Sequence, residues 1–133
     1  MSKLAARLKD ASRSGVYRAS DTAAIAESGV AFTHMALRGG RAEILAAIAQ
    51  ALRFPEWFGG NWDALEDCLS DLEGAQHVLV FAGGDALPAD ERGILVDVLD
   101  AAATFHGAHG TPFFAVFLDP QRKLALPDLY REK

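Results

Sequence analysis

Apolar residues recur along this chain in two rhythms. One is helical. Between residues 41 and 52, "RAEILAAIAQAL", Ile44, Leu45, Ile48 and Leu52 share one face at about 100° per residue. From about residue 89 to 106, Ile94, Leu95, Val98, Leu99 and Ala102 repeat the pattern. The other rhythm is a short unbroken apolar run. "VAFTHMAL" (30–37), "HVLVFAG" (77–83) and "TPFFAVFLD" (111–119) are rich in β-branched and aromatic residues and read as buried strands. Strands apolar on both faces belong in a parallel sheet covered by helices.

Turn and cap signals place the rest. "RFPEWFGG" breaks the second helical stretch with a proline and paired glycines, and Asn61 caps a further helix to about residue 73. "SDTAAIAESG" reads as a short helix with Ser20 or Asp21 as cap and Gly29 as stop. Residues 1–15 read as a short amphipathic helix or a loosely held arm, and "GVYRA" as a short strand or an extended lead-in. From residue 30 the order is strand, helix, helix, strand, helix, strand. This predicts an α/β fold: a small, three-stranded, mainly parallel sheet packed with helices. Residues 1–29 form an N-terminal extension, 30–119 the domain and 120–133 a polar tail.

Length and composition keep this to one domain of 133 residues, with 50% hydrophobic residues for a core. The basic start is followed by no apolar h-region, and no apolar run approaches a membrane span. A single cysteine fits a reducing compartment, so the expected location is the cytoplasm. The net charge of −5 is unevenly spread. Residues 54–91 hold nine acids and no Lys or Arg, whereas residues 1–53 hold eight Lys/Arg against four acids. Such a block repels nucleic acid and membrane surfaces and attracts a basic protein.

Most of that charge lies on the helix after Asn61. Trp62, Leu65, Leu69 and Leu72 form its apolar stripe; Asp63, Glu66, Asp67 and Ser70 form the opposite face. Asp63 and Asp67, at i, i+4, repel by a few tenths of a kcal/mol, and no cation is interleaved. The plain reading is an amphipathic surface helix with a solvated polar face, although such faces usually alternate in sign. This one suits an electropositive partner.

The segment "FPEWFGGNWDALEDCLSDL" resembles the barstar family, intracellular inhibitors of secreted ribonucleases. The match runs through Pro55, Glu56, Trp57, Phe58, Gly59, Asn61, Asp63, Ala64, Leu65, Asp67, Cys68 and Leu69. The element order from residue 30 to 119 agrees with the family's three-stranded parallel sheet. The resemblance implies that the loop and acidic helix occlude a ribonuclease active site. Asp67 stands where the family's aspartate occupies the enzyme's phosphate site, and Asp63 where a second interface aspartate stands. Ser70 matches an interface threonine, Trp57 an interface tyrosine, and Gly59, Gly60 and Asn61 the contacting loop. Departures are also present: Trp57 and Phe58 replace two tyrosines, Glu66 a tryptophan and Gly60 an acid. Asp100 is the nearest counterpart of an interface acid on the last helix.

The expectation is a non-enzymatic, monomeric, bacterial-type immunity protein that inhibits a basic, barnase-like ribonuclease, without cofactor, metal, membrane or direct nucleic-acid contact. The alternative keeps the fold and makes the acidic helix a docking surface for another basic protein or toxin. Other chemistries are weaker. "GGN" lacks the rest of a phosphate-binding loop, and its neighbouring carboxylates repel anions. Paired-carboxylate catalysis needs a pocket that an exposed helix face does not supply. His106 and His109 form an H-x-x-H without further ligands, so a histidine at a helix C-terminus is the simpler reading. His34 and His77 read as structural, and Cys68, beside acids, as an inert thiol.

Overall fold

The computed structural model describes residues 3–55 and 60–130. In chain order the elements are α1 (Lys3–Leu8), a 3-10 turn (Ala11–Arg13), β1 (Gly15–Ala19), α2 (Ala23–Glu27), β2 (Thr33–Ala36), α3 (Arg41–Ala51) and α4 (Trp62–Ser70). Then come β3 (His77–Ala82), a second 3-10 turn (Gly84–Ala86), α5 (Ala89–Ala108) and β4 (Phe113–Leu118). All pairings are parallel, in the order β1-β4-β3-β2.

The three apolar runs are β2, β3 and β4. The sheet nevertheless has four strands, not three, because "GVYRA" forms β1 and pairs with β4 in the register Gly15↔Phe114 to Ala19↔Leu118. Its polar centre concealed it. Arg18 is only 3% exposed, yet its guanidinium donates to the Asp119 carbonyl at 2.6 Å and to the Asp128 carboxylate. Asp119, fully buried, lies 3.6 Å from Arg18 Nε and also accepts the Lys123 and Leu124 N–H groups at 2.9 and 2.8 Å. A buried charge is tolerable when paired and hydrogen-bonded in this way. The C-terminal segment closes the outer edge of β1: Arg18 N–H donates to Pro127, and Leu129 N–H to Arg18, both at 2.8 Å.

Side chains alternate across each strand and divide the core in two. Leu79 and Phe81 of β3, with Phe113, Ala115 and Phe117 of β4, face Ile44, Leu45 and Ile48 of α3, Leu65 and Leu69 of α4, and Leu95 and Leu99 of α5. Val78, Val80, Phe114 and Val116 point the other way, onto Leu4 and Leu8 of α1, Ile25 of α2 and Leu129. With both faces covered, β3 and β4 have no solvent side on which a polar residue could alternate. Residues 3–29 and the C-terminal segment thus supply one entire layer. Among the described residues, no helix is long and apolar enough to cross a membrane.

Candidate functional site

The acidic surface is built on α4. Asn61 opens the helix in extended conformation, and its Oδ1 accepts the Ala64 N–H at 2.7 Å, as its sequence position predicts. Leu65 and Leu69 are fully buried, Cys68 is buried, and Trp62 and Leu72 pack partly against the same cluster. These contacts fix the helix's rotation, so Asp63, Glu66 and Asp67 are held outward and exposed, with Ser70 half-buried in the last turn. The helix stops at Ser70, earlier than the cap-to-cap reading suggested. Among the described residues, no cation forms an ion pair with Asp63, Glu66 or Asp67; the ion pairs there join Arg18 to Asp119 and Asp128, and Arg122 to Asp128.

Gly60, exposed, precedes the cap at φ 68°, a left-handed conformation that favours glycine although a Cβ there would meet no neighbour. Trp57 and Gly59 lie outside the described residues. Asn61 is exposed, with its carboxamide oxygen committed to the cap. Thus Gly60, Asn61, Asp63, Glu66, Asp67 and Ser70 are continuous. Asp100 is not brought to them. It lines a cleft with Gly15, Val16, Tyr17, Leu126 and Pro127, on the flank of α5 turned toward β1.

Cys68 shows what the surface does to its own thiol. Burial, and then the charges of Asp71 and Asp67, push its pKa above the ordinary value. It stays protonated at neutral pH and is a poor nucleophile.

One positioning group escaped the sequence reading. His106 does not cap its own helix. It is buried, and its Nε2 lies 2.7 Å from the Leu69 carbonyl, at the end of α4. A carbonyl can only accept, so Nε2 carries the proton. The ring stacks on Phe113 at 5.3 Å and 6° and lies 5.1 Å from His77. His106 therefore ties the end of α4 to α5 and β4. The signal was present: His106 continues the buried series Leu95, Leu99, Ala102 at helical spacing. His109 Nδ1 pairs with the Phe105 carbonyl of its own helix at 2.8 Å, so the two histidines are committed to different partners. Among the described residues, no group of three or more His, Cys, Asp or Glu could hold a metal ion.

What the ridge offers is fixed negative charge on a rigid rod, presented to solvent without a neutralising cation among the described residues. Such a surface complements a site built to hold phosphate. In comparison with known proteins, the family model described as "Barstar (barnase inhibitor)" matches residues 31–118. No curated protein and no solved structure matches the chain.

Proposed function

The chain belongs to the barstar family, and from that premise we propose that it inhibits a barnase-like ribonuclease by laying α4 and the loop before it into the enzyme's active site. Members of this family act as inhibitors, and the proposed role is binding, not catalysis. The observation that carries the reading is the exposed ridge of Asp63, Glu66 and Asp67 within the matched span, paired with no cation among the described residues. A ribonuclease cleft is cationic because it must hold a phosphodiester. Carboxylates on a rigid helix imitate that charge, and the complementary fields speed encounter.

Asp67 is the principal anchor and Asp63 the second; Gly60 and Asn61 let the backbone approach closely. Trp57 and Gly59, from the same loop, are part of the proposed contact, as is Ser70. Asp100 is left outside it, since it faces a different cleft. The work is done in the cytoplasm, on any enzyme that reaches it.

The test is inhibition of barnase, in an RNA-cleavage assay, by the wild type and by Asp67→Ala. Removing one partner of a desolvated charge pair costs about 2–5 kcal/mol, a range that includes charge pairs measured in barnase and barstar themselves. The expected result is at least a thirtyfold rise in the concentration needed for inhibition. Equal potency of the two proteins sinks the role given to Asp67.

A further inference from the structure

Two large apolar side chains are exposed among the described residues, Ile94 at 39% and Phe105 at 44%, and both lie on α5. Eleven residues separate them, about three turns, so they fall on one line of the helix. Ala101, seven residues beyond Ile94, is exposed on the same line, while Val98 between them is buried in the core beneath. The flank is that of α4. Val96, Asp97 and Asp100 occupy the opposite flank, against β1 and the C-terminal segment. His106, next to Phe105, reaches the Leu69 carbonyl of α4. Helices α4 and α5 each lead through a short turn into parallel strands, β3 and β4, so they run in the same sense. Phe105 therefore stands beside the last turn of α4, and Ile94 near the end at which α4 begins. The Phe105 ring is steadied by His109 at 4.5 Å and His106 at 5.5 Å.

Charge decides what can cover this stripe. Between residues 54 and 121 there are twelve Asp/Glu and one Lys/Arg, Arg92. Arg92 is turned to the carbonyls of Leu87 and Gly84, at 3.1 and 3.5 Å. A second copy of the chain presenting the same face would bring carboxylates against carboxylates, and an anionic membrane would be repelled. The remaining occupant is a cationic protein with apolar residues beside its basic cleft.

We propose that Ile94, Ala101 and Phe105 form the second half of the docking surface, receiving an apolar shoulder next to the active site of the ribonuclease that α4 occludes. This rests on the inhibitor reading and assigns it a division of labour. The carboxylates steer the encounter, and Asp67 anchors the complex. The stripe lengthens its lifetime and sets which ribonuclease is preferred, because most interface contacts act on dissociation. Phe105, an aromatic held in place by its neighbours, is the dominant contact.

The experiment measures association and dissociation rates with barnase at two salt concentrations, for the wild type, Ile94→Ser/Phe105→Ser, Phe105→Leu and Asp67→Ala, with sedimentation of each protein alone. The double variant is expected to dissociate at least tenfold faster, with the same association rate and salt dependence and a melting temperature near that of the wild type. Phe105→Leu, which keeps an apolar contact, should recover part of the lost lifetime. An unchanged dissociation rate in the double variant, with Asp67→Ala weakened, overturns the stripe and leaves the inhibitor reading standing. The converse, Asp67→Ala unchanged and the double variant weakened, supports the stripe and removes the acidic anchor. A wild-type dimer that the double variant splits assigns the stripe to a second copy and overturns the proposal. Absence of barnase binding by the wild type overturns both.

Discussion

Deleting residues 1–29 strips α1, β1 and α2 from the sheet whose second face they cover. The deleted residues take their own ordering entropy with them, so the loss that matters falls on what remains. Val78, Val80, Phe114 and Val116 are at most 3% exposed, and all four belong to the cluster that Leu4, Leu8 and Ile25 close. Returning one such side chain to water costs about 1.5–3 kcal/mol. The four together lose about 6–12 kcal/mol, an upper bound because Leu129 still covers part of the face. A whole domain is stable by only about 5–15 kcal/mol. In addition, β4 would become an edge strand with unpaired backbone groups. The expected outcome is that residues 30–133 do not fold cooperatively, although they include the whole span matched by the family model. Urea unfolding followed by near-ultraviolet circular dichroism and tryptophan fluorescence checks this. A truncated chain with a cooperative transition, and stability within about 2 kcal/mol of the full chain, would refute the reasoning.

Two further expectations concern the histidines behind α4. His106→Phe keeps the stacking on Phe113 and loses only the hydrogen bond to Leu69, whose carbonyl still accepts the Leu72 N–H at 3.3 Å; the expected cost is about 1 kcal/mol. His106→Ala also empties the ring's space and should cost about 3 kcal/mol in thermal or urea unfolding; equal losses in the two variants would show that the bond, not the ring, carries the contribution. Burial first, and then the neighbouring His106, hold the His77 pKa below its ordinary value. Because the unfolded chain binds the proton more readily, this contribution to stability is complete above about pH 6.5 and is lost as pH falls through the lowered folded value. Urea unfolding at pH 7.5, 6.5 and 5.5 should therefore show a decline that His77→Phe reduces; the same decline in both proteins would contradict it.

The candidate site was legible because its signals are local. The alternation of Trp62, Leu65 and Leu69 with Asp63, Glu66 and Asp67 separates a buried from an exposed face by geometry alone, and Asn61 announces its cap. Asp100 was harder to place. Its exposure follows from its helix position, but which flank of α5 meets α4 depends on how the two helices cross the sheet. The apolar stripe was hidden for a related reason. Ile94 entered the sequence reading as a core position at helical spacing, and only the packing shows that α4 leaves it uncovered.

By itself the sequence determined β2, β3 and β4, helices α3, α4 and α5, the buried face of α4 and the acidic ridge. These are set within windows of ten to twenty residues by side-chain periodicity and capping. Tertiary structure alone decided that "GVYRA" is a strand, since Arg18 is buried only where Asp119 and Asp128, more than a hundred residues away, return to meet it. It also decided that His106 serves α4 and that residues 3–29 close the second core. Each of these rests on partners far apart in the chain, and a local pattern carries no information about a charge or carbonyl that the fold brings from elsewhere.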